Sequence, residues 1–522
     1  MPRFHPLWLV APVLTCACSL INAPAEIDTG TGGGGTGGTG GTGGETTTTP
    51  TTTEPESVCG DGKLTGAEAC DDDNTTPGDG CSATCTVEDG FECTNAMQEL
   101  SICQKICGNG TVNTDKGEEC DDGGAVDEDP PFGNQDACSD TCKFQEFDIE
   151  SHSDQTIVHE LPTVGFRNDD DMSSFYAIWS AASAGKVVGR EYRFNGTFKK
   201  GTGSVDLANS NKPEPDGEVM CTAPNDRSVF AWRDAGTNKL FFRKIEIGGQ
   251  LLDAAEIVIP QVQNRLSCAS GPGNKTIVAT VGKAMSGPLF DVFVQPFDIP
   301  ALPSGPPIDI GDTLAPNDTA SLALSSSFLV AWIADPNANG PIVAQQLDQD
   351  GNLQAGFFFT LTGPEDSAPR EPALARVSAN DTFVLAYTRD SAPDADGNSH
   401  REITLRVGTA GNDSGPIIVS ASTANQREPV IAADPMTGKF VVAWTVDAAG
   451  GENIAYRVFD LASMSGGEEL QANEVQLGEQ THPAVVADPG TGHVAILWDN
   501  LVPNSNKPHK ISAKIFPALL KK

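Results

Sequence analysis

SFLVAW, Ser327–Trp332, is the stretch whose reading decides the fold. It is a short apolar run ending in Ala-Trp, and it recurs. SSFYAIW ends at Trp179, RSVFAW at Trp232, KFVVAW at Trp444 and HVAILW at Trp498, with TFVLAY at Tyr387 and KTIVAT at Thr280 as variants. The anchors Trp179, Trp232, Thr280, Trp332, Tyr387, Trp444 and Trp498 are 53, 48, 52, 55, 57 and 54 residues apart. Every tryptophan except Trp8 falls on this register, which chance placement does not produce.

Each unit repeats the same parts. An apolar strand such as EPVIAADP precedes the anchor, and a third such as NIAYRVFD follows it. A fourth alternates, as in SVDLAN, PIDIGD or NEVQLG. Four short strands in about fifty residues, with Gly/Asp/Pro turns between them, are the mark of a β-propeller. A parallel β-helix has much shorter repeats. Seven anchors predict seven four-stranded blades over residues 145–522. The last unit stops after KISAKIF without a fourth strand, while an orphan strand, EFDIES (Glu146–Ser151), precedes the first unit. EFDIES is expected to complete the last blade, closing the ring and hiding an edge that would invite aggregation. The regular apolar setting of the anchors makes them inter-blade core rather than sugar-stacking platforms. The repeat resembles the Phe-Val-Val-Ala-Trp type of bacterial secreted propellers, which implies a fold and no particular activity.

Fourteen cysteines are unevenly placed, ten of them between Cys59 and Cys142. That density argues for disulfides and an oxidising compartment. Two copies of one unit are visible, at 58–106 and 107–144. Both carry Cys-Gly-(Asp/Asn)-Gly, then Glu-x-Cys-Asp-Asp, then Cys-Ser-x-x-Cys. The pattern resembles the myxobacterial cysteine-rich repeat of the DUF4215 type, which implies a secreted or surface protein. Copy one has Cys59, Cys70, Cys81, Cys85, Cys93 and Cys103; copy two keeps Cys107, Cys120, Cys138 and Cys142 and carries an acidic insert. Even counts allow pairing within each copy, but the connectivity is not readable. Zinc is disfavoured, because the spacings do not form paired knuckles and no His is near. Asp71, Asp72, Asp73 and Asp79 in copy one, and Asp121 and Asp122 in copy two, are candidate ligands for Ca2+, the one cofactor considered and not a required one. The competing role for such Asp/Gly clusters is turn formation. Cys221 and Cys268 sit eleven and twelve residues before their anchors, placed either for a disulfide between neighbouring blades or as two buried thiols.

The N-terminus, MPRFHPLWLVAPVLTCACS, has a signal-peptide shape and is too short to span a bilayer. It resembles a bacterial lipoprotein signal over residues 1–18, with Cys18 the lipidation candidate and Cys16 the alternative; ordinary secretion is the competing reading. Residues 19–57 are Gly/Thr-rich and cannot bury a core, so they read as a disordered tether. A net charge of −38 excludes nucleic-acid phosphates as a partner. The expected address is the cell envelope, lipid-anchored to the outer membrane and surface-exposed, with the chain a monomer.

Catalytic signatures are missing. The seven histidines form no H-E-x-x-H pair, no G-x-S-x-G elbow occurs, and GTGGGG lacks the strand and Gly-Lys-Ser/Thr of a phosphate loop. One binding hint stands out. QNRLSC, REPALA, REPVIA and THPAVV introduce the first strands of four units. If those strands line the channel, Arg265, Arg370, Glu371, Arg427, Glu428 and His482 gather at one mouth. They would either meet an acidic or sugar ligand or pair blade to blade. LDQDGN (347–352) and PDADGN (393–398) read as hairpin turns. The expectation is therefore a surface lipoprotein whose propeller binds an extracellular carbohydrate or protein. The alternatives are a propeller-fold hydrolase or lyase acting on polysaccharide, and a structural envelope protein without a ligand.

Overall fold

The anchor runs become strands because β-branched and aromatic side chains pack well on a pleated, buried surface. In the computed structural model of the chain, every residue of Ser174–Ala181 and of Ser327–Ile333 is buried. The structure describes residues 58–521 apart from 89, 95, 122, 124–136, 140, 150–158, 168–172, 182–185, 196–204, 210–212, 223–227, 235–238, 246–254, 258, 260, 284–288, 299–302, 316, 336, 338, 394–396, 410–411, 421, 475–476 and 502–508. The expected signal peptide, Cys16, Cys18 and most of the tether lie outside the described residues.

The first cysteine module holds a hairpin of β1 (Phe91–Thr94) and β2 (Ile102–Lys105), and β3 (Phe147–Asp148) follows the second module. Four antiparallel four-stranded sheets come next. They are β4 (His159–Arg167), β5 (Ser174–Ala181), β6 (Lys186–Arg193) and β7 (Val205–Asn209); then β8 (Pro213–Thr222), β9 (Ser228–Asp234), β10 (Lys239–Ile245) and β11 (Ala255–Ile257). The third is β12 (Gln263–Ser270), β13 (Lys275–Lys283), β14 (Phe290–Asp298) and β15 (Ile308–Thr313), and the fourth β16 (Thr319–Ala323), β17 (Ser327–Ile333), β18 (Ile342–Asp348) and β19 (Leu353–Thr360). A five-stranded sheet joins β20 (Ser367–Arg376), β21 (Phe383–Asp390), β22 (Arg401–Thr409), β23 (Asn412–Asp413) and β24 (Ile417–Ile418). The rest, β25 (Gln426–Asp434), β26 (Lys439–Ala448), β27 (Gly451–Asp460), β28 (Leu470–Gln471), β29 (Gly478–Ala487), β30 (Val494–Leu501) and β31 (His509–Phe516), form with β3 one eight-stranded sheet.

The protein is thus mainly β, and its propeller has five separate blades, not seven. The expectation of seven four-stranded blades fails at the last two anchor units. There β27 meets β29 in a parallel pairing, Gly451 opposite Gly478 and Glu452 opposite Glu479, so two ladders become one sheet. Glycine permits it. Gly451 has φ +147°, and a Cβ there would sit 1.6 Å from the Gly478 carbonyl oxygen. An anchor motif marks a second strand; it does not mark where a ladder ends. At the far edge of this sheet, β3 adds to β31 with Phe147 opposite Ala513.

The core lies between neighbouring sheets. Trp332 packs with Ile277, Val292 and Phe328, so the third and fourth sheets share one cluster. Trp232 packs with Tyr176 and Ile178 across the first two sheets. Trp179, Trp332, Trp444 and Trp498 are almost fully buried, each contributing roughly 2–3 kcal/mol or more from buried apolar area. Tyr387 replaces Trp where its hydroxyl has work to do. It donates to Asp366 Oδ1 at 2.6 Å, and Arg389 and Arg406 pair with the same carboxylate. Burial alone would raise the Asp366 carboxyl, but these donors hold it below its usual value.

Six disulfides tie the chain: Cys59–Cys85, Cys70–Cys81, Cys93–Cys103, Cys107–Cys142, Cys120–Cys138 and Cys221–Cys268. The first two and the fourth and fifth occupy equivalent places in the two copies, and the third closes the β1–β2 hairpin. The last links β8 to β12, the innermost strands of adjacent blades. The second module packs into the propeller itself: Cys120, Ala137, Cys138, Cys142 and Phe144 share a cluster with Phe147, Phe175, Trp179 and Ile511. Among the described residues no helix is long and apolar enough to cross a membrane.

Candidate functional site

A cavity of about 340 Å³ runs down the centre of the propeller. The first strand of every anchor unit contributes: Val164 from β4, Met220 from β8, Leu266 from β12, Ser321 from β16, Ala373 from β20, Val430 from β25 and Ala484 from β29. His482 stands at one mouth, and the other walls are apolar or carry small hydroxyls.

At one mouth, four of these strands share a local device. The register slips between Glu160 and Thr163, Arg370 and Ala373, Arg427 and Val430, and Thr481 and Ala484. Inside each bulge lies an X-Pro pair: Leu161-Pro162, Glu371-Pro372, Glu428-Pro429 and His482-Pro483. The X residue is left-handed in all four, with φ of 56°, 53°, 57° and 51°. Proline suits a bulge because it has no ladder hydrogen to give. The left-handed residue before it is strained, and strain of this kind costs of order 1–3 kcal/mol per residue. The bulge re-aims that side chain from the strand to the mouth.

The re-aimed side chains link unit to unit. Glu371 Oε2 accepts from the Glu428 backbone N–H at 2.8 Å, and Glu428 Oε2 accepts from the His482 N–H at 2.9 Å. Asp499 Oδ1 accepts from the Leu161 N–H at 2.7 Å, carrying the chain across the seam. The residue after the anchor adds a second hold: Thr388 donates to Glu371 and Thr445 to Glu428. His482 lies between two carboxylates, with Nε2 3.1 Å from Glu428 and Nδ1 2.9 Å from Asp499. Burial would lower its pKa, but Asp499 and Glu428 outweigh it and push it up to about 9. At neutral pH the ring is an imidazolium donating from both nitrogens. Burial, with the Glu428 charge added, raises the Glu371 carboxyl above its usual value.

The structure therefore brings together Glu371, Glu428 and His482. Arg370 lies half-buried next to Glu371. Arg427 turns to Asp447 at 3.1 Å and to Glu452, with Glu428 at 3.9 Å. The side chain of Arg265 lies outside the described residues. Sequence reasoning missed Asp499. Its signal is positional, because it follows anchor Trp498 as Thr445 follows Trp444 and Thr388 follows Tyr387.

In the cysteine modules the candidate calcium ligands take different places. Asp71 is buried and accepts from the backbone N–H groups of Gly60, Asp61, Gly62 and Asp73 at 2.9–3.2 Å. Asp121 does the same for Gly108, Asn109, Gly110 and Gly123. These two carboxylates are the cores of turns, with their lone pairs committed to the backbone. Burial would raise Asp71, but its four donors hold it below its usual value. Asp72 rises through burial and the neighbouring Asp79 charge, and Asp79 accepts from Asn74 at 3.1 Å. Asp73 is left-handed beside Gly62, and Asp122 lies outside the described residues.

The fold and these modules define the class: a mainly β protein with a propeller and a disulfide-rich N-terminal region. Residues 50–86 match a family described as a domain of unknown function (DUF4215), so the first module is similar to that family. No curated protein matches the chain. Similar solved structures include a polysaccharide lyase, an ulvan lyase, at 8% identity over 68% of this chain and 93% of that one, TM-score 0.47. Another is the α-L-arabinofuranosidase from Fusarium graminearum, at 10% over 60% and 96%, TM-score 0.42. A third is the Pyrococcus horikoshii acylaminoacyl peptidase, at 10% over 67% and 50%, TM-score 0.38. At these identities the likeness is one of fold.

Proposed function

We propose that the chain is an exported envelope lipoprotein, anchored through Cys18 or Cys16, whose propeller mouth binds an extracellular carbohydrate or protein. The observation that carries this reading is how the mouth uses its charges. Glu371, Glu428, His482 and Asp499 are committed to one another and to backbone N–H groups of the next unit. Apart from the clamped His482 ring, what faces the cavity is apolar wall and small hydroxyls, the makings of a recognition site. The test is a screen of the full chain against arrayed glycans and the secreted proteins of neighbouring cells. Binding weakened by Ser321→Leu, which fills the cavity, supports the reading. A uniformly blank screen overturns it and leaves a structural envelope role.

A second reading rests on the opposed protonation at the mouth. A carboxyl pushed up (Glu371), linked through Glu428 to an imidazolium (His482), is the pattern by which hydrolases and lyases assign acid and base. Release of reducing or unsaturated ends from polysaccharides, abolished by Glu371→Gln, would favour it over simple binding.

A further inference from the structure

A second cavity lies away from the channel mouth. It occupies about 450 Å³ where the second cysteine module meets the propeller, a volume within the range of small-molecule sites. Val112 and Glu118 come from the module, Arg193 and Phe194 from the end of β6, and His493 and Pro517 from the last unit. His493 and Thr491 lie just past the C-terminal end of β29, whereas His482 stands near its start. The two cavities therefore use opposite ends of one strand.

Two groups in this cleft want partners. Glu118 is 8% exposed; its Oε2 accepts from the Asn113 N–H at 2.5 Å, and its Oε1 is buried with no hydrogen-bond partner. Its carboxyl also lies against the Cys107–Cys142 disulfide, which has no hydrogen to donate. An unmet buried carboxylate oxygen is costly, and a donor from a ligand would remove that cost. Across the cleft, Arg193 forms no ion pair among the described residues. Had its guanidinium come within 4 Å of Glu118, the two would be bridged, so a gap separates donor from acceptor.

Charge selects the ligand. Glu118 stands against Arg193, and Glu119 is bridged by Lys143 at 3.2 Å, so the lining charges balance. The Glu118 and Arg193 charges offset one another, so the lining favours neither a simple anion nor a simple cation. What fits is a neutral molecule with adjacent groups that both give and accept hydrogen bonds, plus an apolar face for Val112 and Pro517. We infer that this cleft is a binding site for a neutral saccharide of one or two residues, whose hydroxyls donate to Glu118 Oε1 and accept from Arg193. The site is independent of the channel mouth, so Ser321→Leu should leave it unchanged.

The test is calorimetric titration of the full, oxidised chain with glucose, galactose, mannose, arabinose, N-acetylglucosamine and their common disaccharides, with glucuronate as the anionic comparison. At least one neutral sugar should bind. Glu118→Gln and Arg193→Met should each weaken it by about tenfold or more, the cost of a hydrogen bond to a charged group, and glucuronate should bind more weakly than glucose. Glu68→Gln is the control. Glu68 is the counterpart of Glu118 in the first module, with the same buried, unpartnered Oε1, and its variant should bind normally. Thermal melts establish that each variant is folded, and Arg193→Met keeps the test sound should Glu118→Gln unfold the module. No binding by any neutral sugar at millimolar concentration, or binding indifferent to both cleft substitutions, overturns the proposal.

Discussion

Replacing His482 by Gln should destabilise the propeller near pH 6 and have almost no effect near pH 10. In the folded state the ring faces Glu428 and Asp499, and its pKa rises from 6.5 to about 9. In the unfolded chain it returns to about 6.5. A group whose folded pKa is raised stabilises fully below its unfolded pKa, and that contribution fades as pH climbs through the folded value. At about 1.4 kcal/mol per unit the shift is worth about 3 kcal/mol. The side chain is 31% exposed, so solvent screening cuts this to about 1–2 kcal/mol. Gln cannot carry the charge, so the stability difference between wild type and H482Q isolates this group from Lys and Tyr titrations common to both. Urea unfolding at about pH 6, 7.5, 9 and 10 reads it. The expected difference is about 1–2 kcal/mol below about pH 7, shrinking toward zero by about pH 10. A difference that is flat across the range, or that grows with pH, refutes the imidazolium clamp.

Three further outcomes follow from the fold. Gly451→Ala should destabilise by about 2 kcal/mol or more, because a Cβ at φ +147° meets the Gly478 carbonyl; a thermal midpoint equal to wild type would mean the joined sheet is not needed. Trp444→Phe should cost less than Trp332→Phe. The Trp444 Nε1 has no hydrogen-bond partner whereas that of Trp332 donates to the Asp312 carbonyl, a difference of about 1 kcal/mol in chemical unfolding. Replacing Cys221 and Cys268 together by Ser opens a link spanning 47 residues and should cost about 4 kcal/mol, read by urea unfolding of the variant and the wild type under oxidising conditions that keep the other five disulfides intact.

Much of the fold was legible because the anchor strands are buried on both faces and so spell themselves out as unbroken apolar runs. The ladder ends were not legible. Whether β27 stops or passes its edge to β29 depends on Gly451 and Gly478 meeting, and a two-residue alternation carries no trace of a parallel contact between glycines. At the mouth, REP, REP and THP could be aligned by eye, which brought Glu371, Glu428 and His482 forward. Their directions could not be read, since a bulge with a left-handed residue reverses what alternation predicts. Hence Arg427, expected at the mouth, turns to Asp447 and Glu452. Asp499 was missed because only its fold-level position, one step past an anchor, ties it to His482. In the cysteine modules the aspartates looked like ligands on composition. Only the backbone path shows that Asp71 and Asp121 are each wrapped by four N–H groups.

The strand β3 has a consequence for the order of assembly. Its Asp148 accepts from Ser512, 364 residues later in the chain, and Ile149 donates its N–H to the Ile511 carbonyl. Loop closure over such a span is entropically slow. During synthesis the second cysteine module and β3 emerge early, yet the strand β3 pairs with, and part of the cluster it covers, appear only with the final strand. Until then Phe144 and Phe147 have Phe175, Trp179 and Tyr192 of the first sheet but lack Ile511, Ala513 and Ile515, and the growing sheets carry an open flank. The joint between the first folded segment and the last therefore acts as a completion check: a chain truncated before β31 would keep its blades but stay open, and would be the form most exposed to proteases and to mispairing with other chains.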